Sequence, residues 1–157
     1  MKRGQLVFVK GTSIISKLIN LIDGVYSHVA LALSENTVLE SQRFAESRII
    51  KNYHERYDLV DITLTDDQMR SLIDSSLNFI GYDYDYKQIA YTFFGEFFKI
   101  SRFNDRGKFI CSELIVEVLF DIGYFNDSEY AKLVHATPNE LFQAISDKEK
   151  IISTPEK

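Results

Sequence analysis

The sequence predicts an α+β fold in which an antiparallel sheet packs against helices, and three observations carry the prediction. Short apolar runs of strand character occupy the first part of the chain: Leu6–Val9, His28–Leu33, Thr37–Ser41, Arg48–Lys51 and Tyr57–Ile62. Segments with capping signals and helical spacing dominate the rest, among them those opened by Thr65-Asp66-Asp67-Gln68 and Thr137-Pro138-Asn139-Glu140. No repeat, low-complexity tract or linker divides the 157 residues, so 1–157 reads as a single domain. A chain of that length buries roughly two thirds of its unfolded surface.

Taken in order, Leu6–Val9 is the first strand, and Gly11-Thr12-Ser13 offers capping oxygens to a helix whose stripe is Ile14, Ile15, Leu18, Ile19 and Ile22, ended by Asp23-Gly24. His28–Leu33 alternates small and large residues, and Ser34-Glu35-Asn36 turns it into Thr37–Ser41, which makes a β-hairpin. If Leu33 pairs with Thr37, Ala30 lies opposite Glu40 and His28 opposite Gln42. Glu40 is then a same-face diagonal neighbour of His28. A slip of one residue destroys that relation.

Two further strands, Arg48–Lys51 and Tyr57–Ile62, flank Asn52-Tyr53-His54-Glu55. After the capping box at Thr65, Met69, Leu72, Ile73, Ser76, Leu77 and Ile80 share one helix face, with Gly81 placed to end the helix. Helical spacing from about Tyr86 through Phe98 predicts another helix, whose aromatic stripe reads as core packing, with part of it open to lining a substrate groove or facing lipid. Phe109-Ile110 reads as a strand that turns into a helix starting at Cys111 and ending at Gly123. Pro138 at a first helical position predicts a short helix over Leu141–Ile145.

Charge and composition exclude several classes. A formal net charge of -5 and the lack of a Lys/Arg cluster argue against nucleic acid as a partner. Charged residues interrupt every apolar stretch well before the roughly 18 to 20 residues a bilayer crossing requires, and the start resembles no secretion signal. A cytoplasmic location is therefore expected. With one cysteine there is no internal disulfide, and Cys111 is either a packing residue or a reactive thiol. The oligomeric state is left open.

At a helix start, unpaired N–H groups and the macrodipole stabilise a thiolate. His28 supplies a base and Glu40 a carboxylate to orient it, the parts of a nucleophilic hydrolase or transferase. His54, among Tyr53, Glu55 and Arg56, reads as solvated, and His135, ahead of the Thr137 cap, as a weak candidate for the site. Glu113 is turned from the Cys111 face and has a structural role. No His, Cys or Asp pair has zinc-ligand spacing, so neither metal nor cofactor is expected.

Gly4-Gln5-Leu6-Val7-Phe8, Tyr26-Ser27-His28-Val29-Ala30, Val38-Leu39-Glu40-Ser41, Gly81-Tyr82-Asp83-Tyr84-Asp85-Tyr86, Phe109-Ile110-Cys111-Ser112-Glu113-Leu114 and Thr137-Pro138-Asn139-Glu140-Leu141 together resemble one group. It is the YiiX/YebB-like, circularly permuted branch of the NlpC-type papain-like hydrolases, in which histidine precedes cysteine, an order shared with lecithin:retinol acyltransferase and its relatives. The resemblance implies Cys111 as nucleophile, His28 as general base and Glu40 as orienting residue, with Gln42 the alternative if the register slips. It implies a cysteine hydrolase, a peptidase or amidase acting on a peptide-like or acyl small-molecule substrate. A thioesterase or acyltransferase on lipids, or a non-catalytic peptide- or lipid-binding domain, are the alternatives. Gly4-Gln5 departs from the Gly-Asp that the group often has there, so an acid is missing from that position.

Overall fold

The computed structural model describes residues 1–10, 25–41, 47–81 and 106–153, the side chains of 106–110 and 151–153 excepted. The expected helices over Ile14–Ile22 and from Tyr86, and Gln42, lie outside the described residues. Five strands, β1 (Leu6–Lys10), β2 (Tyr26–Ala32), β3 (Thr37–Glu40), β4 (Arg48–Lys51) and β5 (Tyr57–Val60), form one antiparallel sheet in the order β4-β3-β2-β1-β5. Four helices are described: α1 (Asp66–Asn78), α2 (Arg106–Asp121), α3 (Asp127–Leu133) and α4 (Pro138–Ser153). The α+β class with an antiparallel sheet and helices is as expected.

Strand alternation sorts the sheet into two apolar faces. Leu6, Phe8, Val29, Leu31 and Leu39 form one core with Leu72 of α1, Leu114, Ile115, Val118 and Leu119 of α2, and Leu141 and Ile145 of α4. Val7, Ala30, Ala32 and Val38 form a second cluster on the other parity. The hairpin register is the one the three-residue turn implies: Leu33 N–H donates to the Thr37 carbonyl, and Leu31 pairs with Leu39 and Ala32 with Val38.

Caps explain most helix ends. The Thr65 side chain accepts from Gln68 N–H while Gln68 reaches back to Thr65 N–H, the expected capping box. At the end of α2, Tyr124 N–H donates to the Leu119 carbonyl and Gly123 N–H to Phe120, with Gly123 at φ 74°. That Schellman closure needs a left-handed residue, which is why glycine stands there. Helix α3 was not foreseen, although Asn126 and Glu129 form its reciprocal capping box. Helix α4 starts at Pro138 as expected but runs to Ser153, beyond the short helix predicted, and its added turns are held by polar contacts of Lys148 with Glu129 and of Glu149 with Thr63 and Tyr124.

The strand expected at Phe109-Ile110 and the helix start expected at Cys111 are not found. Helix α2 begins at Arg106, so Phe109-Ile110 is helical, and Cys111 lies in the second turn of the helix and not at its N-terminus. Two adjacent apolar residues carry no period of their own, and Gly107 costs a helix only about 1 kcal/mol. An N–H so placed is directed at the carbonyl four residues earlier, so that of Cys111 belongs to the helix ladder.

Candidate active site

Glu40 organises the site. It ends β3 fully buried, and Ala30 stands opposite it in the hairpin register, small enough to let the longer His28 side chain approach on the diagonal. His28 Nε2 lies 3.2 Å from Glu40 Oε2. The carboxylate has further partners, none of which is adjacent to it in sequence. Arg48, across the β3–β4 pair, donates from Nε and Nη2 to Oε1 at 3.2 and 2.8 Å. The Tyr53 hydroxyl donates to Oε1 at 3.1 Å, and His54 Nε2 lies 3.0 Å from Oε2.

His54 is thus no solvated turn residue: its side chain is 9% exposed, and its ring centroid lies 5.2 Å from that of His28. The Asn52 side chain shapes the approach by accepting from His54 N–H at 3.1 Å. A carboxylate at a strand end beside Arg48, with Tyr53-His54 in the following turn, was the available signal. Its meaning depends on β4 folding back beside β3, a non-local fact.

Burial works against the charge of Glu40, but hydrogen bonds from His28, His54 and Arg48 outweigh it and hold the carboxyl well below its usual range. The same balance holds at His28. Burial alone lowers its basicity, yet Cys111, which is its hydrogen-bond partner, and Glu40 together raise its pKa to about 9. Cys111 comes from α2, the helix that packs across β2, and its side chain is fully buried. His28 therefore bridges the thiol of one layer and the carboxylate of the other.

The strand end that carries His28 is fixed from two sides. A bulge between Val9 and Lys10 breaks the β1–β2 register beside it. Asn139, in the first turn of α4, accepts from Tyr26 N–H and donates to the Tyr26 carbonyl, both at 2.9 Å. Two segments far apart in sequence, Tyr26-Ser27-His28 and Thr137-Pro138-Asn139, are joined by that amide clasp.

His135 is exposed and paired with Glu113 at 3.1 Å. Glu113 is itself largely buried, and burial pushes its carboxyl up while His135 partly opposes the shift. Gln5, where the sequence lacks an acid, links Lys2 N–H to the Asp61 carboxylate. No linear spacing announces a metal site, but among the described residues His28, Glu40 and His54 bring three ligand atoms within 4.8 Å of one another. No helix among the described residues is long and apolar enough to cross a membrane.

No protein-family model matches the chain, and no curated protein matches it.

Proposed function

We propose that the chain is a thiol hydrolase cleaving an amide bond, with Cys111 as nucleophile, His28 as general base and Glu40 as the residue that orients and charges the imidazole. One observation carries the reading: His28 contacts both Cys111 and the ionised Glu40. The permuted NlpC-type fold and the YiiX/YebB-like family belong to the same proposal, and rest on the motifs around His28, Glu40 and Cys111 occurring in that order.

The chemistry follows the usual double displacement. His28 holds the proton of the Cys111 thiol, and the sulfur attacks the amide carbonyl to give a tetrahedral oxyanion. The C–N bond breaks as the imidazolium passes its proton to the leaving amine. Water, deprotonated by His28, then attacks the thioester and releases the acid. Because Cys111 is buried, substrate entry displaces the groups that cover it. Glu40 stays ionised throughout, held by Arg48, Tyr53 and His54.

Incubation with mixed peptide amides and acyl esters, read by intact mass, tests the proposal. An acyl adduct that localises to Cys111 and disappears in His28→Ala is expected. Adducts from fatty acyl esters alone move the assignment to a thioesterase or acyltransferase. A thiol inert to every substrate and to small electrophiles overturns the enzyme reading in favour of a binding domain.

A further inference from the structure

Outside the contact with Cys111, the three ligand atoms around Glu40 have a geometry of their own. His28 Nε2 and His54 Nε2 converge on the same oxygen, Glu40 Oε2, at 3.2 and 3.0 Å, with all three atoms within 4.8 Å of one another. Zinc binds imidazole nitrogen and carboxylate oxygen at about 2.0 to 2.2 Å, so the ligand atoms of its tetrahedron stand about 3.3 Å apart. Two edges of such a tetrahedron are already present. Only the gap between the two imidazole nitrogens has to adjust.

The other carboxylate oxygen is engaged as a metal ligand's usually is. Arg48 holds Oε1 and fixes the plane of the carboxylate, while the Tyr53 hydroxyl lies 3.1 Å from Oε1 and 3.3 Å from Oε2, the oxygen on which the imidazoles converge. Tyr53 and Arg48 are also the exposed members of the cluster, so a cation and its water reach the site from their side. Cys111 is not one of the converging groups. The ligand set is therefore two nitrogens and one oxygen with a fourth position for water, which suits zinc better than calcium or magnesium.

We propose that His28, His54 and Glu40 bind a divalent, zinc-like cation. Occupancy ties His28 Nε2 to the metal and takes it from Glu40, so the cation holds the hydrolase in an inactive form. That regulatory consequence rests on the proposed function, whereas the binding site itself does not.

Titration of chelator-treated, desalted protein with zinc chloride in a calorimeter is the test, with circular dichroism confirming that each variant is folded. The wild-type protein is expected to bind one zinc per chain. His54→Ala and the more conservative His54→Gln should each weaken binding by about tenfold or more, while His135→Ala, at an exposed pair, leaves it unchanged. Cobalt in place of zinc should give visible d–d bands without a thiolate charge-transfer band. Absence of stoichiometric binding, wild-type affinity in both folded His54 variants, or a thiolate charge-transfer band in the cobalt form overturns the site. Acyl-adduct formation is measured separately, with chelator present, so it fails or succeeds independently of zinc; adduct formation undiminished at saturating zinc overturns the inhibitory role alone.

Discussion

His54 Nε2 lies 3.0 Å from Glu40 Oε2, the oxygen that His28 also reaches. Glu40 is consequently a shared anion and not the private partner of one imidazole. With Arg48 and Tyr53 on the carboxylate as well, it is surrounded by donors that favour its charged form. A carboxylate so held orients the imidazole and balances its charge without taking its proton.

Reactivity of the thiol should depend on His28. An ordinary thiol of pKa about 8.5 is only a few per cent ionised at neutral pH. His28→Ala is expected to slow iodoacetamide modification of Cys111 at pH 7 by about tenfold or more, whereas His135→Ala, altered at an exposed pair, leaves the rate unchanged. Equal rates in wild type and His28→Ala would separate the two residues.

Acid stability should report on Glu40. Its carboxyl is depressed below the ordinary 4.5 by its hydrogen bonds, against the effect of burial. A depressed acid contributes stability that is fully present above 4.5 and is lost as pH falls through the lower folded value. Glu40→Gln should therefore cost on the order of 3 kcal/mol at pH 7, with the gap to wild type closing in strong acid. Urea unfolding at a series of pH values measures it; a gap that stays constant with pH refutes the electrostatic origin.

Cys111→Ala should abolish turnover and also lower stability by about 1 kcal/mol, since a buried side chain leaves a small cavity. Cys111 belongs to the core with Leu114 and Ile115, so a role in packing accompanies any role of its thiol. Chemical denaturation of the variant decides between a silent and a costly replacement.

Glu113 should behave in the opposite sense from Glu40. Burial raises its carboxyl, with His135 only partly compensating, so the folded state is penalised once pH exceeds the raised value and is unpenalised below the ordinary 4.5. Glu113→Gln is expected to raise the melting temperature at pH 7, the gain shrinking as the pH is lowered toward 4. A variant less stable than wild type at pH 7 would make the His135 pair the dominant interaction.

The strand half of the fold was legible because alternation and turn chemistry are local. Arg48–Lys51 was placed to the residue, and Ser34-Glu35-Asn36 fixed the register that sets Glu40 beside His28. Around Cys111 local signals fell short: Phe109-Ile110 suits strand and helix equally, and the helix begins at Arg106. His54 was misjudged because polar neighbours in sequence say nothing of what folds onto them. Its partner Glu40 lies 14 residues away, reached only through the β3–β4 pairing.

His28 and every other described partner of Glu40 lie within Tyr26–His54, on one run of hairpins, while the Cys111 sulfur arrives from a helix that starts at Arg106. During synthesis the Glu40 cluster leaves the ribosome well before the cysteine does. The ribosome-bound chain therefore exposes either no thiol or one without His28 beside it, and the proposed chemistry is armed only when the second layer docks. Loosening of α2 from the sheet disarms it again while the Glu40 cluster persists, a safety catch observable as Cys111 alkylation that loses its dependence on His28 at denaturant concentrations too low to unfold the sheet.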